Sequence, residues 1–155
     1  MEKTNVMRLL SQKRIPFEPF QYAPEGVPSG VEAAEILGLD PDEVFKTLVT
    51  VGHSGAHFVF VIPVARELDL KKAAAAVGEK SIEMLKMKDL LPLTGYVHGG
   101  CSPLGMKKPF PTFLDLSARA LPRIVFSAGK VGSHVRLAPE DLKRVLDYRF
   151  ADLCR

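Results

Sequence analysis

The chain has 155 residues, of which 46% are hydrophobic, and it carries a formal net charge of +3 at pH 7. This size and composition predict one globular domain over residues 1–155, and no apolar run approaches the about 20 residues that span a bilayer. Two cysteines are too few for a disulfide framework and the start of the chain has no signal-peptide pattern, so we expect the reducing cytoplasm and no membrane partner.

The N-terminal part of the sequence predicts two helices separated by a strand. Thr4 can cap a helix that ends before Pro16, and residues 17–22 alternate like a β-strand. Ser29 and Glu32 have the spacing of a capping box and predict a second helix that begins after Ser29 and runs through Leu37.

The next segment predicts a β-hairpin between two helix starts. Residues 40–43 read DPDE, in which the aspartate is a suitable cap and the proline suits a first helical turn. Strands are predicted at 47–51 and 57–62, joined by a glycine-containing connection. Asp69 can cap a helix that runs to Val77.

The second half of the chain mixes short strands with helices. A helix is predicted over 82–91 and a final helix over 138–146. Short strands are predicted at 96–98, 112–116, 124–127 and 135–137. Because long helices do not alternate regularly with strands, we predict an α/β domain with a mixed, largely antiparallel sheet and helices packed on it.

Two glycine-rich segments are the candidates for a functional loop. Residues 99–108 read GGCSPLGMKK, and residues 127–132 read SAGKVG. Glycine permits positive φ and lets a ligand approach the backbone, and successive N–H groups can hold an anion or a developing oxyanion. An ordinary tight turn is the alternative explanation for the same glycines.

The sequence gives no sign of a metal site or a nucleotide cofactor. The four histidines have no compact ligand spacing with cysteine. The segment from Gly100 to Lys107 lacks the Gly-Lys-Ser/Thr ending of a Walker loop, and a dinucleotide fingerprint is absent as well. We therefore expect neither a metal nor a cofactor.

Cys101 and Lys46 are the two side chains with chemical potential near these motifs. Cys101 could be a nucleophile if a base lowered its pKa, and His98 lies three residues before it, but no acidic residue is placed to orient that histidine. The alternative is a small packed hydrophobic residue. Lys46 can point into a cleft and bind a phosphate or a polarised carbonyl, or it can be a solvated surface lysine.

Positive charge is concentrated in residues 100–136. This segment has six lysine and arginine residues and one aspartate, a net charge of +5, whereas the rest of the chain carries −2. Such a local field attracts phosphate groups, although a solubilising face is an equally good explanation.

Several of these motifs together resemble the YbaK family of aminoacyl-tRNA deacylases, which is related to the editing insertion of bacterial prolyl-tRNA synthetases. The motifs are VFKTL at 44–48, LDLKK at 68–72, GY at 95–96, GGCSPLG at 99–105 and SAGK at 127–130. Their order and spacing extend the resemblance over nearly the whole chain, to residues 150–152. The PLG triplet followed by two lysines is similar to the YbaK branch rather than to the alanine-specific editors.

The resemblance implies a single α/β domain that releases a wrongly attached amino acid from tRNA, chiefly cysteine from tRNA specific for proline. The expected partners are the acceptor end of a mischarged tRNA and, in addition, prolyl-tRNA synthetase. The substrate's own thiol would attack its carbonyl, so the protein would have to hold the ester compactly and stabilise an oxyanion. The open alternatives are an editor of different amino-acid specificity and a non-catalytic module that binds tRNA or a synthetase.

The resemblance also implies roles for individual residues. The essential lysine of the family corresponds to Lys46, and amides of Gly99, Gly100 and Cys101 would stabilise the oxyanion. The expected substrate-binding residues are Tyr22, Ser102, Pro103, Ser127, Gly129 and His134. The expected tRNA-binding residues are Lys107, Lys108 and Lys130. Two positions depart from the family: His134 stands where an aspartate is usual, and Cys101 stands where close relatives have an aliphatic residue, which favours a packing role for Cys101.

Overall fold

Two β-sheets and five α-helices make up the fold of residues 2–155, the part of the chain that the computed structural model describes. The helices are α1 (Asn5–Gln12), α2 (Gly30–Leu37), α3 (Leu70–Val77), α4 (Met87–Thr94) and α5 (Pro139–Leu142). The strands are β1 (Glu18–Gln21), β2 (Phe45–Gly52), β3 (His57–Pro63), β4 (Ile82–Met84), β5 (Thr112–Asp115), β6 (Ile124–Lys130), β7 (Ser133–Leu137) and β8 (Tyr148–Ala151). A 3-10 helix covers Leu116–Ala120.

The strands form a three-stranded and a five-stranded sheet. The first has the order β1-β7-β6 and is antiparallel throughout. The second has the order β4-β2-β3-β5-β8, in which β2 is antiparallel to β3 and β4, whereas β3, β5 and β8 are parallel. The predicted α/β class with mixed, largely antiparallel pairing is confirmed, and its division into two sheets is a feature that the sequence did not reveal.

The helix starts follow the predicted caps. The Thr4 hydroxyl accepts a hydrogen bond from Met7 N–H at 3.3 Å. Ser29 and Glu32 form the reciprocal capping box, and one carboxylate oxygen of Asp69 accepts from the amides of Lys71 and Lys72 in the first turn of α3. Each cap satisfies N–H groups that have no partner inside the helix, so these boundaries could be predicted from local sequence.

Two of the predicted helices were wrong. Residues 40–43 form a turn, in which the Asp40 side chain accepts from Asp42 N–H at 2.9 Å, and this turn leads into β2. The segment 82–91 divides into β4 and the start of α4, because Ile82–Met84 pairs with the end of β2. A long-range strand pairing therefore overrides the helical pattern of that segment.

The remaining differences concern short elements. Residues 96 and 97 have no regular secondary structure and residues 98–99 form a turn, so the predicted strand at 96–98 was wrong. The final helix is shorter than predicted, because only Pro139–Leu142 is α-helical. The strand β8 was not predicted, and its four residues are recognisable only through their parallel pairing with β5.

Hydrophobic residues pack on both faces of the five-stranded sheet. The larger core lies between this sheet, the three-stranded sheet and α1, and contains Phe45 and Val49 of β2. The smaller core lies on the other face against α3, and Leu48 packs there. Neighbouring residues of β2 therefore face different cores, as the alternation of a strand requires. None of the helices in residues 2–155 has the length and apolar character needed to cross a membrane.

Candidate functional site

A cavity of about 470 Å³ lies between β2 of the larger sheet and the strands β6 and β7 of the smaller sheet. The residues that line it are 44–49, 28–30, Tyr22, Ala33, Val64, Met84, Leu85, Met87, Leu90, His98, Gly99, Cys101, Ser127, Val131 and His134. A volume of this size holds a small organic group rather than a polymer. Six of the expected site residues line it: Tyr22, Lys46, Gly99, Cys101, Ser127 and His134.

Lys46 is a half-buried lysine without a salt bridge in residues 2–155. Burial lowers the pKa of its ammonium group, and the negative charge of Glu67 and a nearby Cys154 oppose this effect. As strand neighbours alternate, its side chain leaves β2 on the face opposite to Thr47. Lys46 is a lining residue of the cavity, and an unpaired, partly dehydrated ammonium group is suited to a phosphate or a carbonyl oxygen.

Thr47 is a polar cavity residue that the sequence analysis missed. Its hydroxyl oxygen is buried and has no hydrogen-bond partner in the described chain. It belongs to the strand face of Phe45 and Val49, both of which are buried and apolar. The sequence signal for Thr47 was a single hydroxyl residue on a strand face that is otherwise apolar. Such a residue stands out because buried polar atoms normally have a hydrogen-bond partner.

Tyr22, His134 and Ser127 form the wall of the cavity on the smaller sheet. The rings of Tyr22 and His134 are stacked, with centroids 6.3 Å apart and an interplanar angle of 18°. His134 lies directly opposite Ser127 in the β6–β7 pair. The Ser127 hydroxyl accepts from Gly129 N–H at 3.1 Å, so its own proton remains available for a ligand.

His134 is neutral at physiological pH. It is 8% exposed, and burial lowers the pKa of its imidazole to about 4. Its Nδ1 atom has no hydrogen-bond partner in residues 2–155. His134, at the position where the family resemblance implied an aspartate, therefore presents an uncharged ring to the cavity. Its Nδ1 atom can bind a ligand atom.

Gly99 and Cys101 present the glycine-rich loop to the cavity. Gly99 has φ of +86°, and a Cβ atom there would lie 2.5 Å from a methyl carbon of Val27. Gly100 does not line the cavity, and its N–H group donates to Val97 O at 3.0 Å. The amide of Gly100 is thus used within a turn, whereas Gly99 and Cys101 are the residues of this loop that line the cavity.

The two glycine-rich loops pack against each other through their glycines. A Cβ atom on Gly100 would lie 3.1 Å from Val131 N, and one on Gly129 would lie 2.9 Å from the ring of Tyr96. The Tyr96 hydroxyl donates to Leu104 O within the first loop. These close approaches fix the loops relative to each other, which adds a packing reason for glycine to the conformational one.

Cys101 is poorly suited to act as a nucleophile. Burial raises the pKa of its thiol to about 12, so the thiolate is scarce at neutral pH. No carboxylate or histidine hydrogen bond to its sulfur occurs in the described residues. The thiol also packs against the larger hydrophobic core.

Three of the expected substrate-binding residues lie outside the cavity lining. Ser102 is completely buried, and its hydroxyl accepts from Leu104 N–H at 3.3 Å. Pro103 is also buried in this loop, and Gly129 contacts Tyr96. Their geometry corresponds to support of the two loops rather than direct contact with a ligand.

The expected tRNA-binding cations are partly engaged by the protein itself. Lys130 forms a salt bridge with Glu2 at 2.6 Å, and Lys107 Nζ lies 3.5 Å from Pro92 O. Lys108 is exposed. Two further cations of the basic segment, Arg123 and Arg136, both bind Glu18. The positive field of this segment is therefore weaker than its sequence suggests.

A family model named "aminoacyl-tRNA editing domain" matches residues 24–145. The chain belongs to this family. A relative from Enterococcus faecalis, EbsC, described as a candidate Cys-tRNA(Pro)/Cys-tRNA(Cys) deacylase, is 46% identical over 153 residues, which cover 98% of this chain and 93% of EbsC. The proline–tRNA ligase of Shouchella clausii is 33% identical over 103 residues, 66% of this chain and 18% of the ligase.

Solved structures of related proteins agree with the fold of this editing domain. One, described as a candidate trans-editing enzyme for prolyl-tRNA synthetase, has a TM-score of 0.82 and 26% identity, and the match covers 97% of this chain and 94% of that one. The protein APE2540 superimposes with a TM-score of 0.88 over 99% of this chain and 100% of its own, at 20% identity, and supports the fold alone. The expected resemblance to the YbaK family is confirmed.

Proposed function

We propose that this editing domain releases cysteine from mischarged tRNA specific for proline, as a separate protein acting in trans in the cytoplasm. The description of EbsC, which matches almost the whole chain, supports cysteine and this tRNA as the substrate. The similarity to proline–tRNA ligase supports prolyl-tRNA synthetase as the enzyme whose errors are corrected, and as a partner. Residues 1–155 then act as one domain.

The proposed reaction needs no nucleophile from the protein. The thiol of the cysteinyl group attacks the ester carbonyl carbon, so that a C–S bond forms and the C–O bond to the terminal ribose breaks. The ribose oxygen leaves with the electron pair and takes up the proton that the thiol loses. The products are a cyclic thiolactone, which water opens to cysteine, and an uncharged tRNA. Such an intramolecular attack gains strongly from a held geometry.

The protein contributes electrostatic stabilisation in this mechanism. Gly99 and Cys101 line the cavity, and we assign their amides as the donors to the oxyanion, whereas the amide of Gly100 is engaged with Val97. Lys46 supplies an unpaired ammonium group for the terminal phosphate or the carbonyl region. Tyr22, Ser127 and His134 enclose the amino acid from the smaller sheet.

The body of the tRNA would contact the outside of the protein through its backbone. Lys108 and Lys107 are the proposed contacts, and Lys130 joins them if the phosphate competes with Glu2. Contacts of this kind carry no sequence information and weaken with salt. The preference for one tRNA would then come from the synthetase that delivers it.

The observation that carries the proposal is that Lys46, which has no salt bridge in residues 2–155, lines one cavity with Gly99 and Cys101 of the glycine-rich loop in an editing domain. The decisive measurement is the release of labelled cysteine from proline-specific tRNA. We expect the wild-type protein to release it and Lys46→Ala to lose at least about a hundredfold in kcat/KM, the scale of an oxyanion-type contact. Normal turnover by Lys46→Ala, or none by the wild type, would contradict the proposal.

His134 favours a second candidate, an editor of different specificity. A neutral imidazole stands at the position that resembles a family aspartate, so the pocket is less polar than expected for that position. A panel of tRNAs charged with cysteine, alanine, serine and homocysteine separates the two functions. Only an amino acid with a side-chain nucleophile can cyclise, so fast release of alanine would mean that water is the attacking group.

A further inference from the structure

The strand β2 directs alternate main-chain groups to its two sides. On the side of β3, Val64 N–H donates to Val44 O at 2.8 Å, and the register between the strands is unbroken over 45–51. In an antiparallel pair, hydrogen-bonded positions alternate with positions whose N–H and C=O groups point outward. The residues whose main-chain groups point away from β3 are therefore Phe45, Thr47 and Val49.

The outer side of β2 is covered at both ends and open in the middle. At one end, an isolated parallel bridge joins Val44 to Val125 of β6. At the other end, Leu85 N–H donates to Val49 O at 3.1 Å, and the ladder with β4 covers only 50–52. No strand of the described chain lies opposite Thr47. The gap is about one residue long, and it opens on the cavity, because residues 44–49 line it.

The same cavity lacks an acidic group. Neither aspartate nor glutamate occurs among its lining residues in the described chain. An aminoacyl ester nevertheless brings an α-ammonium group with three N–H donors. A charged donor group that leaves water needs hydrogen-bond acceptors, and in this cavity the neutral acceptors on offer include main-chain carbonyls.

We propose that the α-ammonium group of the aminoacyl ester binds at the free edge of β2 and donates to the outward C=O group of Thr47, with the outward C=O group of Phe45 next along the same edge, an inference that rests on the proposed function. The free edge of β2 then recognises the amine in the way that a sheet edge binds one residue of an added strand. The glycine-rich loop on the other wall binds the carbonyl oxygen. The two ends of the amino acid are thus held by main-chain groups, independently of its side chain.

The buried hydroxyl of Thr47 supports a polar ligand at this gap. Its oxygen has no partner within residues 2–155 although it is shielded from water. The side chain of Thr47 lies on the same sheet face as those of Phe45 and Val49. If a ligand occupied the position opposite Thr47 as a paired residue does, its side chain would lie on that same face. The thiol of a bound cysteinyl group would then lie beside this hydroxyl.

A specific rejection follows from this recognition. An ester whose amine is acylated, as at the end of a peptidyl-tRNA, has lost the positive charge and two of the three donors. It also carries bulk against the edge of β2. The site would therefore accept free aminoacyl esters and spare peptidyl esters.

The test uses four esters on the same proline-specific tRNA: cysteinyl, 2-hydroxy-3-mercaptopropionyl, 3-mercaptopropionyl and N-acetylcysteinyl. All four keep the thiol and the ester and differ at the amine. Each enzymatic kcat/KM is divided by the uncatalysed rate of that ester, because an ammonium group also activates the carbonyl. We expect this ratio to be at least tenfold lower for the 3-mercaptopropionyl and N-acetylcysteinyl esters than for the cysteinyl ester. The ratio for the 2-hydroxy ester should lie between that of the cysteinyl ester and those of the other two. Equal ratios would overturn the inference.

A binding measurement gives a readout without turnover. The probe is adenosine with cysteine attached through a 3′-amide, compared with the same compound lacking the amine. We expect the backbone ¹³C carbonyl signals of Phe45 and Thr47 to move only with the amine-containing probe. Leu48 is the internal control, because its carbonyl faces β3. Unmoved signals at Phe45 and Thr47 with bound probe would also overturn the inference.

The two measurements separate the inference from the proposed function. Release of cysteine without discrimination at the amine overturns the inference and leaves the function intact. Carbonyl shifts at Phe45 and Thr47 without any release support the binding site and contradict the deacylase function. Absence of release, discrimination and shifts would remove both.

Discussion

Two concave sites in residues 2–155 differ in how their polar groups are used. The cavity between the sheets has an unpaired lysine, a buried threonine hydroxyl and a buried imidazole nitrogen without partners among residues 2–155. The second concavity, of about 320 Å³, lies beside α5 and β8, and its cations and aromatic rings bind one another. There, Lys143 lies 4.4 Å from the ring centre of Tyr148, and Arg119 lies 4.9 Å from that of Phe150.

This difference indicates which of the two sites is built for a ligand. In the second concavity, the Tyr148 hydroxyl donates to Pro139 O at 2.8 Å, so the ring is satisfied within the protein. In the first, the burial of polar atoms without a partner has a cost that an incoming ligand or an ordered water can offset. The volumes of the two cavities distinguish them less clearly than the number of buried polar atoms that lack a hydrogen-bond partner.

The largest expected effect tests the two lysines of these sites against each other. Lys46→Ala should lower deacylation at least about a hundredfold, because a partly dehydrated ammonium interacts strongly with developing negative charge. Lys143→Ala should keep wild-type kcat/KM, because the Lys143 ammonium group binds the ring and the main-chain carbonyl of Tyr148. Both variants are assayed by cysteine release, with thermal unfolding as the check on folding. A comparable loss in Lys143→Ala would mean that the second concavity also belongs to the functional site.

The second prediction concerns His134 and pH. Its pKa is about 6.5 when unfolded and about 4 when folded, so the unfolded state binds the extra proton between these values. Its contribution to stability is complete above pH 6.5 and is lost as the pH falls towards 4, by about 3 kcal/mol at most.

The measurement for His134 is the free energy of unfolding by urea at several pH values. The carboxylates of the protein also lose stability in acid, so His134→Gln serves as the reference. We expect the stability of the wild type to fall more steeply than that of His134→Gln between pH 6.5 and pH 4. Parallel curves would show that the imidazole is hydrated and free to take up a proton.

The sequence predicted local elements well and long-range ones poorly. The caps at Thr4, Ser29 and Asp69 depend on residues two or three positions away, and all three were found. The strands β4 and β8 depend on partners far along the chain, and their short segments carry no distinct pattern. Pairing that is decided by tertiary structure cannot be derived from a local window.

The candidate site shows the same division. The motifs pointed to Lys46, Tyr22, Ser127 and His134, which line one cavity although they lie up to 112 residues apart. Their grouping came from the resemblance to a family and not from spacing. The gap in the edge of β2 could not be predicted at all, because it depends on where β4 and β6 stop covering that strand.

The third prediction compares two threonines of β2. The Thr47 hydroxyl lacks a partner, whereas the Thr50 hydroxyl donates to Phe58 O at 2.8 Å inside the sheet. We expect Thr47→Val to lower kcat/KM about tenfold without loss of stability, because it removes a buried unsatisfied group. Thr50→Val should lose about 1 kcal/mol of stability and keep its activity. If Thr47→Val were less stable and fully active, its hydroxyl would be structural.

The smallest effect is expected at Cys101, the residue of the glycine-rich loop that most resembles a nucleophile. The pKa of its thiol is raised to about 12 by burial, and its side chain packs on the core, so a covalent role has no support in its surroundings. Cys101→Ser should keep kcat/KM within about twofold and lose about 1 kcal/mol of stability, since a hydroxyl is costlier to bury than a thiol. The amide of residue 101 is unchanged in this variant, and the amide is the group that the oxyanion needs. Mass spectrometry of the protein quenched during turnover provides the independent check: a cysteinyl adduct on Cys101, together with an inactive but folded Cys101→Ser, would replace the main-chain mechanism by a covalent one.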